Sequence, residues 1–206
     1  VILVNKVIAR SNPSGWLAIA FLFWLFRNSY GKKVNYWLMK SEPDTYSIAD
    51  LQEDGQTIWD GVRNYQARNF LMQMREGDLS FFYHSNTNPP GIVGLMRIVK
   101  SGAIDPTQFD SHSPYYDAKS SPDSPRWRTV VVEFVERFPQ IVALETLKQM
   151  FTPDELLLVR RGNRLSVMPV EAAIAQKILR IDDSHRQADA VTGDSLFTEV
   201  TCLDRI

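Results

Sequence analysis

The chain has 206 residues, 44% of them hydrophobic and 23% charged, with a formal net charge of −1. That length and balance describe one soluble globular domain with tails or an insertion, large enough to bury a core without disulfides or a structural metal. The single cysteine, Cys202, excludes an internal disulfide and fits a reducing compartment, and no Cys/His spacing resembles a zinc site.

The charge is unevenly spread. Residues 1–33 carry five Lys/Arg and no acid, residues 34–182 carry 16 against 19, and residues 183–206 carry two against five. The central part is therefore no general polyanion binder, and any nucleic-acid contact must come from a local patch. In the leader, "GWLAIAFLFWLF" (Gly15–Phe26) would span only about 18 Å as a helix, short of the roughly 30 Å hydrocarbon core. Its positive charges Arg27, Lys32 and Lys33 follow it, no A-x-A site appears, and the polar face of an interfacial helix is missing. Residues 1–33 are expected to lie outside the working protein, with translation starting at Val34 from a GTG codon. A cytoplasmic location without membrane contact is expected.

"VNYWLMK" (Val34–Lys40) reads as a buried strand. Ser47 caps a short helix through Asp54, with Ile48 and Leu51 inward and Gly55 ending it. "TIWDGV" is a brief strand or loop. Asn64–Met74 is a helix, with Ala67, Phe70, Leu71 and Met74 on one face and Tyr65, Arg68, Asn69 and Met72 opposite. Leu79–Ser85 and Ile92–Lys100 read as antiparallel strands, the second with a bulge or close approach at Gly94. Residues 101–125 are a Ser/Pro/Asp-rich surface loop. Arg126–Phe138 is a strand, "ALETLKQM" and "TPDELL" are short helices, and "GNRLSVMPV" is a turn leading to a strand. Pro169–Arg180 is a closing helix, and the polar, aperiodic stretch after Asp182 is expected to be disordered. The order of elements favours a small mixed barrel with helices around it over a doubly wound sheet.

Common enzyme signatures are missing: there is no G-x-G-x-x-G, Walker loop, G-x-S-x-G or H-E-x-x-H, and no cofactor is expected. Three polar segments remain: "KSEPD" (Lys40–Asp44), "WDGVRNYQARNF" (Trp59–Phe70) and "FFYHSNTN" (Phe81–Asn88). Each begins where a strand ends or a helix starts, so their polar groups can converge on one cleft. Trp59, Tyr65 and Tyr83 offer flat faces, Ser41, Asn64, Ser85 and Asn86 offer donors and acceptors, and Lys40, Arg63 and Arg68 offer charge. Such a set suits a planar, hydrogen-bonding ligand attached to phosphate, as a nucleobase in a strand is. Plainer roles compete at several positions. Trp37 belongs to the core. Trp59 is equally a core residue or a platform. Arg63 can pair with Asp60, and Asn64 can cap its helix. His84 is assigned to the site over a strand-end role, and His112 to solvent over a metal. For the basic cluster Arg160, Arg161 and Arg164, a solvated turn is the ordinary state and a phosphate contact the rarer one.

"YWLMKSEP", "WDGVRNYQARNF", "FFYHSN", "PGIVG" and "GNRLSVMPV" occur in order between about Asn35 and Ile181. Together they resemble the EVE-domain family of the PUA-like superfamily, and five ordered motifs are far more specific than any one of them. The resemblance implies an α+β fold, a PUA-like mixed small β-barrel of five or six strands with flanking short helices, over residues 34–182. It implies recognition of a modified base in DNA or RNA rather than catalysis. The site carried over by motif is Lys40, Ser41, Glu42, Trp59, Arg63, Asn64, Tyr65, Arg68, Tyr83, His84, Ser85 and Asn86. In that reading a base is turned out of its strand and stacks on Trp59 or Tyr65. Ser41, Asn64 and backbone groups read its edge with help from Ser85, and Arg63 and Arg68 hold nearby phosphates. Two alternatives use the same residues. One is a PUA-like nuclease or hydrolase with Lys40, Glu42 and His84 as acid, base or phosphate clamp; the other is an adaptor whose pocket binds no base.

Overall fold

A computed structural model describes residues 34–198, so the expectations for the leader and for residues 199–206 lie outside the described residues. The elements are β1 (Tyr36–Ser41), α1 (Ile48–Asp54), β2 (Gln56–Ile58), α2 (Tyr65–Leu71), β3 (Leu79–His84), β4 (Gly91–Ile104), β5 (Arg128–Ala143), α3 (Leu144–Met150), β6 (Val167–Val170) and α4 (Ala172–Thr198). The strands form one six-stranded sheet in the order β2-β5-β4-β3-β1-β6. Only β1 and β3 run parallel; the other neighbours are antiparallel, including the β3–β4 pair expected from its short link. The α+β class and mixed strand order hold. The sheet, however, is open rather than closed into a barrel, because β2 and β6 each pair on one side only.

Both faces of the sheet are covered, and the period of two along the strands assigns residues to them. In β1, Tyr36 and Leu38 point to one face and Trp37 and Met39 to the other. In β3, Leu79, Phe81 and Tyr83 join the first face and Phe82 the second. The first face packs against Leu147, Ile174, Ala175 and Ile178 of α3 and α4, the second against Ile48, Leu51, Ala67 and Leu71 of α1 and α2. The helix caps follow from local chemistry. The Ser47 hydroxyl accepts from Asp50 N while the Asp50 carboxylate accepts from Ser47 N, and Asn64 Oδ1 accepts from Gln66 N and Ala67 N at 2.9 and 3.0 Å.

Several boundaries differ from the sequence expectation. β4 continues to Ile104 and β5 to Ala143, so the Ser/Pro-rich loop shortens to residues 105–127. Thr152–Leu156 forms turns rather than a helix, with the Glu155 carboxylate accepting from Thr152 N and Oγ1 at 2.8 and 2.9 Å. Pro169 lies in β6. The closing helix runs from Ala172 to Thr198, beyond the expected end at Arg180. Just past Ile181, ion pairs hold the helix. Arg186 meets Asp182 one turn back at 2.8 Å and Glu136 on β5 at 2.7 Å. The register of β4 on β5 shifts between Ile92 and Gly94, where the bulge was expected.

One buried acid fixes the start of β3. The Asp78 carboxylate accepts from Asn35 N, Trp37 Nε1 and Arg75 N at 3.1, 3.0 and 3.0 Å. Asp78→Ala is expected to lower the unfolding free energy by about 2 kcal/mol in urea titrations, since it strands a buried indole N–H and two backbone donors.

Candidate functional site

A cleft of about 830 Å³ opens beside the C-terminal ends of β1 and β3, within the roughly 300–1,000 Å³ range of small-molecule sites. β1 and its turn contribute Lys40, Ser41, Glu42, Thr45 and Tyr46. β2 and the segment after it contribute Thr57 through Asn64, and the rest comes from Ser85, Tyr115, Arg164 and Ser166. Parallel pairing explains why distant segments meet. The β1–β3 ladder places Ser41 beside His84, and Ser85 N then donates to Ser41 O at 2.9 Å. Ser85 Oγ reaches the same carbonyl at 3.3 Å, Ser41 Oγ donates to Tyr46 O at 2.7 Å, and Lys40 N donates to Ser166 O at 2.8 Å.

Trp59 forms a wall rather than an open platform. It is 7% exposed, and its ring meets Phe82 edge-on with centroids 5.4 Å apart. Its backbone is held on β5 by Val130 O at 3.0 Å and by the Thr129 hydroxyl. The tryptophans divide by their N–H groups. Trp37 Nε1 donates to Asp78 and Trp127 Nε1 to Asp117, whereas the Trp59 indole N–H has no acceptor among the described residues. A rigid aromatic wall thus carries one uncommitted donor.

The opposite wall depends on Asp105, a carboxylate that is 1% exposed. It accepts from Arg63 Nη1 at 2.7 Å, Gly61 N at 3.0 Å, and Thr107 N and Oγ1 at 2.8 and 2.6 Å. Arg63 also donates to Tyr115 O at 2.6 Å and Thr107 Oγ1 at 2.8 Å. The Tyr115 ring lies against Gly61, where a Cβ would come within 2.8 Å of the ring, so glycine is required for that contact. Tyr115 remains 40% exposed. The loop that carries it is braced from within by Gln108, whose amide donates to Asp105 O and Trp127 O while its carbonyl accepts from Arg126 N and Trp127 N.

Seven of the twelve expected site residues line the cleft: Lys40, Ser41, Glu42, Trp59, Arg63, Asn64 and Ser85. The other five lie elsewhere. Tyr65 projects from α2 onto Trp127, stacked at 5.0 Å, and its hydroxyl accepts from Arg126. Arg68 lies over the Tyr65 ring at 4.8 Å and donates to Arg126 O and Asn69 Oδ1, both at 3.1 Å, while its buried Nε has no partner among the described residues. Strand alternation puts Tyr83 in the opposite core, where burial pushes its phenol up to about 12. His84 Nε2 accepts from Ile48 N at 3.2 Å, at the start of α1, and burial lowers its imidazole. The acid–base set of Lys40, Glu42 and His84 is therefore not assembled in the cleft. Asn86, at φ 52°, donates from its amide to Glu42 Oε2 at 3.2 Å outside the lining. Arg63 pairs with Asp105, not Asp60.

The sequence reading missed Tyr46, Asp60, Tyr115, Arg164 and Ser166. Tyr115 sits in an aperiodic loop, and the only signal for it is the tandem Tyr115-Tyr116 in a polar stretch. Burial lowers the Lys40 ammonium. Burial first, and then the charge of Asp105, raises the Asp60 carboxyl. Among the described residues no three His, Cys, Asp or Glu side chains group as metal ligands, and no helix is long and apolar enough to cross a membrane.

An α+β sheet with both faces covered and a cleft rich in amide, hydroxyl and aromatic groups defines a ligand-binding module. The chain belongs to the EVE-domain family, which matches residues 35–181. It is 42% identical over 177 residues to thymocyte nuclear protein 1 of Mus musculus, covering 77% of this chain and 78% of that one. A crystal structure of a protein from Pseudomonas putida is 50% identical, with TM-score 0.69 over 71% of this chain and 99% of that one. The human THYN1 protein, crystallised in complex with 5-methylcytosine containing DNA, is 39% identical, with TM-score 0.66 over 72% of this chain and 97% of that one.

Proposed function

We propose that this chain reads modified bases in nucleic acid, holding a turned-out base in the cleft without catalysis, and that 5-methylcytosine in DNA is the type of ligand. The observation that carries the reading is a cleft lined by Trp59, whose indole N–H has no acceptor among the described residues, together with Ser41, Asn64 and Ser85. The human relative crystallised with 5-methylcytosine containing DNA supports the same class of ligand. Trp59 and Tyr115 supply the apolar surfaces. Asn64 and the indole N–H donate to the acceptors on a cytosine edge. The Asp60 carboxylate accepts from its exocyclic amine. Turning a base out costs a few kcal/mol and stacking returns about 1–3 kcal/mol, so these edge contacts must supply the remainder.

Burying one methyl group contributes about 0.8 kcal/mol, close to a fourfold preference. A methylated duplex is therefore expected to bind at least fourfold more tightly than its unmodified counterpart in fluorescence anisotropy titrations, and equal affinities would overturn the reading. The pH dependence carries a sign. Asp60 accepts as a carboxylate, which prevails above its pKa, so affinity declines as pH falls. Because Asp60 is raised, the decline starts above the ordinary aspartate value of about 3.9. Folding stability responds to Asp60 in the opposite direction, since a raised carboxyl favours the folded state as pH falls. Asp60→Ala should remove this part of the pH profile; a variant with an unchanged profile would clear Asp60 of the role.

A further inference from the structure

The arginines near the cleft divide into two groups. Arg63 and Arg126 are paired with Asp105 and Asp117, and Arg68 lies over the Tyr65 ring and donates to Arg126 O. Arg160, Arg161 and Arg164 are exposed, and their guanidinium groups have no carboxylate or other acceptor among the described residues. The polypeptide presenting them is held firmly. Asn163 N donates to Arg160 O at 3.1 Å across a turn whose third residue, Gly162, has φ 77°. The Asn163 side chain then locks the turn on both sides, donating to Leu157 O at 2.6 Å and accepting from Leu165 N at 3.0 Å.

This turn borders a second depression of about 430 Å³ whose lining includes Asn64 and Gln66 and contains no acidic residue. Asn64 and Arg164 line both this depression and the base cleft, so the two adjoin. Three uncommitted guanidinium groups on a braced turn beside a cleft for a base suit a run of phosphates leading to one extruded nucleotide. Guanidinium forks bind phosphate oxygens in pairs, and each phosphate neutralised releases counterions.

We propose that the Arg160–Arg164 turn is the track for the phosphodiester backbone flanking the bound base. The proposal rests on the base-reading function and assigns to this turn the phosphate contacts that the sequence suggested for Arg63 and Arg68. The contacts are blind to sequence and modification, so they set affinity and not discrimination.

The test is the double variant Arg160→Gln/Arg161→Gln in the full chain. Arg164 is left in place because it also lines the base cleft, and Arg160→Lys/Arg161→Lys keeps the charge as a control. Dissociation constants are measured for methylated and unmethylated duplexes over a range of salt concentrations. The expected result is a slope of log affinity against log salt shallower by about 1.8, from two lost duplex phosphate contacts. Affinity for both duplexes should fall by the same factor, about tenfold at low salt, with their ratio unchanged, and the lysine control should retain most of the slope. An unchanged slope and affinity, in a protein that still prefers the methylated duplex, overturns the track and leaves the base-reading function standing. A collapsed methyl preference with an unchanged slope overturns it as well. If the wild type shows no methyl preference but the variant still flattens the slope, base reading falls and the track stands. No binding of either duplex by the wild type removes both.

Discussion

Asp105→Ala is expected to lower the unfolding free energy by about 4 kcal/mol and to abolish tight binding of a methylated duplex. Removing one partner of a buried ion pair costs about 3–5 kcal/mol, because the remaining charge stays out of water without its counterion. Asp105 is buried and Arg63 only partly so, so some of the stranded guanidinium can rehydrate, which keeps the estimate within that range. The same change strands Gly61 N and both Thr107 donors. It therefore loosens the segment between Trp59 and Asn64 and the loop that carries Tyr115 together. Asp105→Asn retains an acceptor but loses the charge and should cost roughly half as much. Urea unfolding of the three proteins checks the order; a loss below about 1 kcal/mol for alanine would show that solvent replaces the carboxylate without difficulty.

Trp59 is expected to have the largest effect on binding, but alanine alone does not isolate it. Truncating a tryptophan this buried costs about 3–5 kcal/mol of stability, since it leaves a cavity beside Phe82. Trp59→Ala should weaken binding of a methylated duplex more than tenfold, part of it through a slack wall. Trp59→Phe separates the terms. It keeps an aromatic edge on Phe82 and removes the indole N–H, so it should retain most of the stability while affinity falls about fivefold to tenfold, as one hydrogen bond of about 1–1.5 kcal/mol would give. Wild-type affinity in the phenylalanine variant would mean that the N–H meets water, and wild-type affinity in a folded alanine variant would place the ligand elsewhere.

How much of this was legible in the sequence depended on whether the information was local. α1 and α2 were readable because Ser47 and Asn64 advertise their caps and the apolar spacing points one face inward. β1 and β3 were readable as short apolar runs. Which face of a strand meets the site was harder. Tyr83 and Phe82 differ by one position, and a period of two sends one to each side of the sheet. His84 offered a ring nitrogen that helix α1 claimed for its own first turn. The arginines misled most. A guanidinium near an aromatic reads as a phosphate contact until its acceptors are known, and those of Arg63 come from residues 105–115, some 40 to 50 positions away. Tyr115 had no periodicity to reveal it, since its placement depends on Gln108 and Asp105 bracing an irregular loop. The continuation of the last helix escaped for a related reason, because ion pairs rather than apolar spacing carry it past Ile181.

The two outermost strands of the open sheet, β2 and β6, are three and four residues long, and β6 contains Pro169. Free backbone groups along such margins are too few, and at the proline too interrupted, to recruit a strand from another molecule. Lateral fusion of sheets through either of these two strands is thus discouraged.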